Sequence, residues 1–303
     1  MPTVTAPTRI KLENILFATD FSPLAQTALP HAVDLAHRYG AKLYTVNVLP
    51  HMPFVEAPRP DPEEVRLTAK ERLATLTRCA TTKGVAHEEL VVQGEVPEVI
   101  AKLVRKYAID LIVIGTGGRH GLGKLLLGSV AEEIFRNAEC PVLTLGPHAT
   151  RWDLDGNLQH ILFATDFGPE SVHALPYALS LAEENRARLT LLHVAPEPGV
   201  VLPEPEPGAM PVLDEGEVVT ATRKQLGALI PKDTALWNEP EYAVRFGAPA
   251  ETIVRMAAPT VDMIVLGAKR GAALTKHVGE GVAYKVACDA PCPVLSVGAR
   301  FHV

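Results

Sequence analysis

The chain has 303 residues, 47% of them apolar and 21% charged, and its 35 Asp and Glu outweigh 29 Lys and Arg for a formal net charge of −6. That length suits two domains of roughly 150 residues and that composition fills two cores, which excludes disorder as the default state. The acidic balance without a long basic run excludes the electrostatic footprint of a nucleic-acid binder. With no leader pattern and no apolar run of about 18 residues, the expectation is a cytoplasmic protein with no membrane partner.

Short runs rich in Ile, Val and Leu alternate along the chain with longer amphipathic segments, the pattern of successive βα units. In the first half, strands are predicted at residues 14–19, 42–49, 88–93, 111–115 and 142–146, with helices between them. The runs ILFAT, LIVIG and PVLTL are continuously apolar, as strands covered on both faces of a parallel sheet should be. Ser22-Pro23 reads as a helix start, a capping side chain followed by Pro at the first helical position. A second helix start is predicted at Gly128-Ser129, with the helix running over residues 130–137.

The second half repeats this order, with strands predicted at residues 161–165, 189–194, 242–246, 263–267 and 294–297. FATDF at residues 17–21 recurs at 163–167, an offset of 146. The segment beginning VIGTGG at Val113 aligns without a gap to the one beginning VLGAKR at Val265, an offset of 152. The repeat divides the chain near Thr150, into residues 1–150 and 151–303. Fold class follows as α/β: two tandem doubly wound domains, each a five-stranded, mainly parallel sheet with helices on both faces.

Two proline-rich passages, residues 49–64 and 195–211, read as extended surface excursions, whether lids, partner contacts or simple loop decoration. Of the four cysteines, Cys140 and Cys292 occupy equivalent positions before proline and read as small buried hydrophobes. Cys288 and Cys292 lack further ligands at metal spacing, and Cys79 stands apart.

The residues that could carry chemistry gather where strand 111–115 runs into Gly115-Thr116-Gly117-Gly118 and, nine residues later, Gly128-Ser129. Glycines at the carboxyl end of a strand let backbone N–H groups approach a ligand, and a helix N-terminus favours phosphate. Gly118 to Lys124 nearly makes a P-loop, but Leu125 stands where magnesium needs a hydroxyl, and the dinucleotide pattern G-x-G-x-x-G does not fit. No Ser-His-Asp or Cys-His set is recognisable, and His31, His120 and His193 have no orienting partner evident in sequence. His193, in a strand, reads as a core histidine.

What the segment does resemble is the signature of the universal stress protein family, G-x2-G-x9-G-S/T, filled by Gly115, Gly118, Gly128 and Ser129. ATDFS after the first strand, LLLGSVAE into the last helix and CPVL in the last strand are similar too, and the resemblance covers both halves. It implies that ATP is held by the first domain. Asp20 and the backbone of Val48 would take the adenosine end, Gly115 and Gly118 would line the path to the phosphates, and Gly128, Ser129 and the N–H of Val130 would grip them. Thr19, Thr116 and Arg119 complete the implied set, and Mg²⁺ or Mn²⁺ would be held through the phosphates.

The second domain keeps Asp166, Val194 and Gly267, but Arg270 replaces Gly118, Glu280 replaces Gly128 and Gly281 replaces Ser129. A carboxylate in a phosphate grip is repulsive, so this half is expected to bind ATP weakly or not at all, as a vestigial site that leaves room for a nucleoside or another small ligand. The leading expectation is an ATP-binding regulatory or interaction module of the stress response. A slow metal-dependent ATPase or nucleotide hydrolase and an architectural protein without nucleotide are the alternatives. The resemblance further implies pairing through the last strands, satisfied within the chain, and leaves a homodimer and an unidentified protein partner as expectations.

Overall fold

The computed structural model describes residues 10–50, 61–116, 129–149, 158–197, 214–258, 260–269 and 281–298. The first half contains β1 (Asn14–Ala18), α1 (Pro23–Tyr39), β2 (Lys42–Leu49), α2 (Pro62–Leu76), α3 (Arg78–Thr82), β3 (His87–Gln93), α4 (Val96–Lys106), β4 (Leu111–Gly115), α5 (Ser129–Asn137) and β5 (Val142–Leu145). The second contains β6 (His160–Ala164), α6 (Pro169–Asn185), β7 (Arg188–Ala195), α7 (Glu215–Leu229), β8 (Glu241–Phe246), α8 (Pro249–Ala257), β9 (Met263–Gly267), α9 (Val282–Asp289) and β10 (Val294–Val297).

Every predicted strand is present, displaced by no more than one residue at either end. The apolar runs are buried on both faces, with Ile15, Leu16 and Phe17 of β1 fully enclosed. The boundary near Thr150 falls between β5 and β6, outside the described residues. One reading is corrected at its edge: the tail of the first proline-rich passage is helical. Asp61 accepts the N–H of Glu63 and Pro62 takes the first turn of α2, where its missing N–H leaves no hydrogen bond broken. Residues 51–60 of that passage, and most of the second, lie outside the described residues.

The two halves share one ten-stranded sheet in the order β3-β2-β1-β4-β5-β10-β9-β6-β7-β8. All neighbours are parallel except β5 and β10, which pair antiparallel at the centre. Within each half the chain winds outward from the first strand, then returns to its other side, so β1 and β4 flank a switch point, as do β6 and β9. Open α/β sheets bind ligands outside the carboxyl ends of such strands.

The central pairing has two-fold character down to its side chains. Leu143 faces Leu295, its own counterpart in the repeat, while Val142 facing Ser296 and Thr144 facing Val294 are one pair seen from the two halves. The Thr144 hydroxyl donates to the carbonyl of Val294 at 3.1 Å, and its counterpart Ser296 donates to that of Val142 at 3.2 Å. Below this junction α1 and α6 meet: Arg38 bonds Asn185 and Tyr39 bonds Glu184, swapped partners at repeat-equivalent positions.

One core on the α1 and α6 face runs through both halves, and two lie on the opposite face. The first of those two takes in Tyr284, Ala287 and Cys288 of α9, and Tyr284 meets Phe135 of α5 edge to face at 6.3 Å. Cys140 and Cys292 are buried just before β5 and β10 as expected, Cys288 is buried in α9, and Cys79 is exposed.

Candidate functional site

The site is built from the turn after β1. Thr19 is tied to β2 by its N–H to the carbonyl of Val46 at 3.0 Å, and Asn47 Nδ2 donates to the Thr19 carbonyl at 2.8 Å. With the strand end anchored, the chain reverses through Phe21 at φ 62°, a left-handed conformation unusual for an aromatic residue. Such a residue costs about 1–3 kcal/mol and persists only where its surroundings hold it. Here the Thr19 hydroxyl accepts the Phe21 N–H at 3.0 Å, Asp20 Oδ1 accepts that of Ser22 at 2.8 Å, and Arg72 of α2 lies 4.0 Å over the Phe21 ring. Ser22 then caps α1 by accepting the Ala25 N–H at 3.2 Å. The turn presents the exposed carboxylate of Asp20 at the carboxyl edge of the sheet, above the switch point.

Val48, half-buried near the end of β2, and Gly115, the last residue of β4, reach that edge from either side. Thr116 is buried, and both its N–H and its hydroxyl are committed to the carbonyl of Leu145, at 2.9 and 3.1 Å. Thr19 and Thr116 therefore shape the site through internal hydrogen bonds. Ser129 and Val130 open α5, whose first-turn N–H groups have no partner within the helix. Gly118, Arg119 and Gly128 lie outside the described residues, as do Arg270 and Glu280 of the second repeat and His120. Backbone donors at a helix start, a carboxylate at the strand edge and half-buried aliphatics match what a nucleotide requires: a dipole for phosphate, an acceptor for hydroxyl or amine, and an apolar wall.

The second repeat rebuilds the turn with different chemistry. Thr165 Oγ1 accepts the N–H of Phe167, also at φ 62°, at 2.9 Å, and Asp166 accepts the N–H of Gly168 at 2.9 Å. His193 stands where the first repeat has Asn47. Its Nδ1 lies 2.9 Å from the carbonyl of Thr165, which can only accept, so the ring carries its proton there, and it packs against Phe167 at 4.8 Å. His193 is thus the satisfied histidine that its strand position suggested, with a partner the sequence did not reveal. Ser171, replacing Ala25, adds a hydroxyl that donates to Asp166 at 2.9 Å. Burial alone would raise the Asp166 carboxyl, but the bonds from Gly168 and Ser171 and the charge of Lys269 hold it below the usual aspartate value.

A cleft of about 150 Å³ opens beside this turn, reaching Val194, Gly267 and the start of α9. Glu170, Ser171 and Lys269 on its wall occupy the positions of Leu24, Ala25 and Gly117 in the first repeat. Sequence comparison of the signature alone passes over all three, because none is a signature position.

The signature glycines divide into two kinds. A Cβ on Gly115 would sit 2.4 Å from the carbonyl oxygen of Leu24, and one on Gly267 would sit 2.3 Å from the N–H nitrogen of Ser171. Each lets the first helix of its half close over a strand end, and both repeats keep it. Gly281, at the position of Ser129, has nothing within 4 Å of a would-be Cβ. The glycine that packing requires survives duplication, whereas Gly281 marks a position where packing imposes no demand.

Among the described residues, no helix is long and apolar enough to cross a membrane. The family model of the universal stress protein family matches twice, over residues 11–145 and 157–298. A universal stress protein of Methanocaldococcus jannaschii is 33% identical over 138 residues, 44% of this chain and 81% of that protein. Universal stress protein A homolog 1 of Coxiella burnetii is 35% identical over 138 residues, 44% of this chain and 95% of that one. The crystal structure of a universal stress protein from Archaeoglobus fulgidus superposes over 95% of this chain and 98% of its own, with a TM-score of 0.68 at 20% identity. With both halves matched by the same model and the same two-domain fold found in a solved structure, the chain belongs to the universal stress protein family as a tandem of two of its domains.

Proposed function

We propose that the chain is a nucleotide-responsive regulatory or interaction module in which the first domain holds ATP. The observation that supports this reading is that Asp20, Val48 and Gly115 stand at the carboxyl ends of β1, β2 and β4 in a doubly wound sheet, on the repeat whose sequence keeps Gly118, Gly128 and Ser129. In this reading the α5 N-terminus takes the phosphates, Asp20 accepts from the nucleoside, and Val48 supplies the wall beside it. Mg²⁺ or Mn²⁺, if bound, is held through the phosphates rather than by a preformed protein cage. The nucleotide would act by favouring one conformation of the first domain, and through it the surface offered to a partner.

The direct test is the nucleotide carried through purification, released by acid and identified by chromatography. About one equivalent of adenine nucleotide per chain supports the reading, whereas a chain that purifies without nucleotide and shows no ATP-induced melting shift rejects it. Phosphate release with Mg²⁺ or Mn²⁺, compared with a Gly128→Glu variant, then separates a binding module from a hydrolase working at this loop.

A further inference from the structure

Towards the amino end of the sheet, away from the edge that carries Asp20, two tyrosines meet. Tyr44 near the start of β2 and Tyr107, the residue that closes α4, have ring centroids 4.4 Å apart and planes inclined by 32°. Apolar packing accounts for the rings but not for their phenols, which converge on one ion pair. The Tyr107 hydroxyl donates to Glu88 Oε1 at 3.4 Å, while the Lys42 ammonium donates to Glu88 Oε2 at 2.6 Å and is also hydrogen-bonded to Tyr44. Tyr44 is only 6% exposed, but the side chains of Lys42 and Glu88 are 39% and 38% exposed, so the phenolic end of the pair opens to water. Lys42 lies over the Tyr44 ring at 4.6 Å and Lys106 over the Tyr107 ring at 4.8 Å. The second repeat has Thr190 and Pro259 at these positions, so the pair belongs to the first repeat alone.

We propose that Tyr44 and Tyr107 form an oxidation site, at which a one-electron radical oxidant closes an intramolecular dityrosine bond. Each phenol gives an electron to the oxidant and its proton to Glu88 or to water. The resulting radicals share their spin between the oxygen and the ring carbons ortho to it, and they couple through those carbons in a single C–C bond. The two ortho hydrogens then move to the oxygens as the rings regain aromaticity. Two electrons and two protons leave in all, and two equivalents of oxidant are reduced. Ring contact makes the coupling intramolecular, and phenols that share one ion pair bring together the carbons beside their oxygens. An ammonium over each ring penalises a bare ring cation, which ties electron loss to proton loss and gives the nearby Glu88 carboxylate a role as acceptor. The new bond would staple β2 to the end of α4, and a cross-link between distant positions stabilises chiefly by restricting the unfolded chain.

The full chain, dilute enough that molecules do not meet, is illuminated with ruthenium tris-bipyridine and persulfate as the one-electron oxidant. Dityrosine fluorescence should appear without any change in the chain's apparent mass on a denaturing gel. Mass spectrometry of the digest should find one linked peptide pair, joining Tyr44 to Tyr107 and lighter by two hydrogens than its parts. Tyr44→Phe and Tyr107→Phe, which keep the rings and a cooperative melting profile, should each lower the yield at least tenfold, whereas Tyr177→Phe should leave it unchanged. The linked chain should melt at a higher temperature than the untreated one. Oxidation that yields no dityrosine, a linkage through another tyrosine or between chains, or a yield that survives either phenylalanine variant would overturn the assignment.

Discussion

Leu143 lies directly opposite Leu295, its own counterpart in the repeat, at the centre of the antiparallel junction that joins the two halves into one sheet. The contact covers edges that two separate domains would leave open, and exposed apolar edges invite aggregation. Both leucines are almost fully buried and line the same small apolar cavity of about 20 Å³. Leu143→Ala is expected to cost about 2–5 kcal/mol, the range for deleting a buried leucine side chain. Urea denaturation should also show non-additivity with Leu295→Ala, because the two truncations enlarge one space.

The two kinds of glycine predict opposite outcomes at neighbouring positions. Gly267→Ala drives a methyl into the backbone of α6 and should destabilise by about 1–3 kcal/mol, whatever ligand is present. Gly281→Ser has open space and gives α9 the side-chain cap it lacks, so it should be neutral or stabilising by a few tenths of a kcal/mol. Thermal denaturation of the two variants measures both.

His31, buried in α1, gives the fold an acid limit. Burial pulls its pKa from 6.5 down to about 4, so the unfolded chain takes up the proton first. The stability it confers is complete above pH 6.5 and is lost as pH falls towards 4, by at most about 1.4 kcal/mol per pH unit, on the order of 3 kcal/mol in all. His31→Leu should flatten the urea midpoint between pH 6.5 and 4 relative to the parent chain. A slope unchanged by the substitution would place the acid sensitivity elsewhere.

Asp166 works at lower pH with the same sign. Its carboxyl is held below the usual aspartate value, so its contribution is present above about pH 4 and is lost as pH falls through the folded value. Ser171→Ala removes one of the bonds responsible, and should shift the onset of acid unfolding upward. Titrating the carboxyl by NMR in both chains checks this, and an Asp166 pKa that does not rise would contradict it.

The strands were legible because runs such as ILFAT and LIVIG are buried on both faces, and such burial leaves an unbroken apolar signature. The turn that presents Asp20 was not, because its left-handed residue is Phe21 rather than glycine and only the Thr19 and Asp20 bonds hold it there. Gly115 was legible as part of a signature but not for its packing role, which depends on a helix that closes over it from 91 positions earlier in the chain. The swapped partners Arg38–Asn185 and Tyr39–Glu184 could not be read either: each pair is 145 or more positions apart, and neither residue type announces its mate.

The central claim, that the first domain holds ATP at the start of α5, is tested most directly by the ATP-induced shift in melting temperature of the parent chain against Gly128→Glu. A ligand at a hundred times its dissociation constant adds about 2.7 kcal/mol to the state that binds it. The parent should therefore melt several degrees higher with saturating ATP, while Gly128→Glu, folded but carrying a carboxylate in the phosphate grip, should not shift. Equal shifts in the two chains, or none in the parent, would contradict the account.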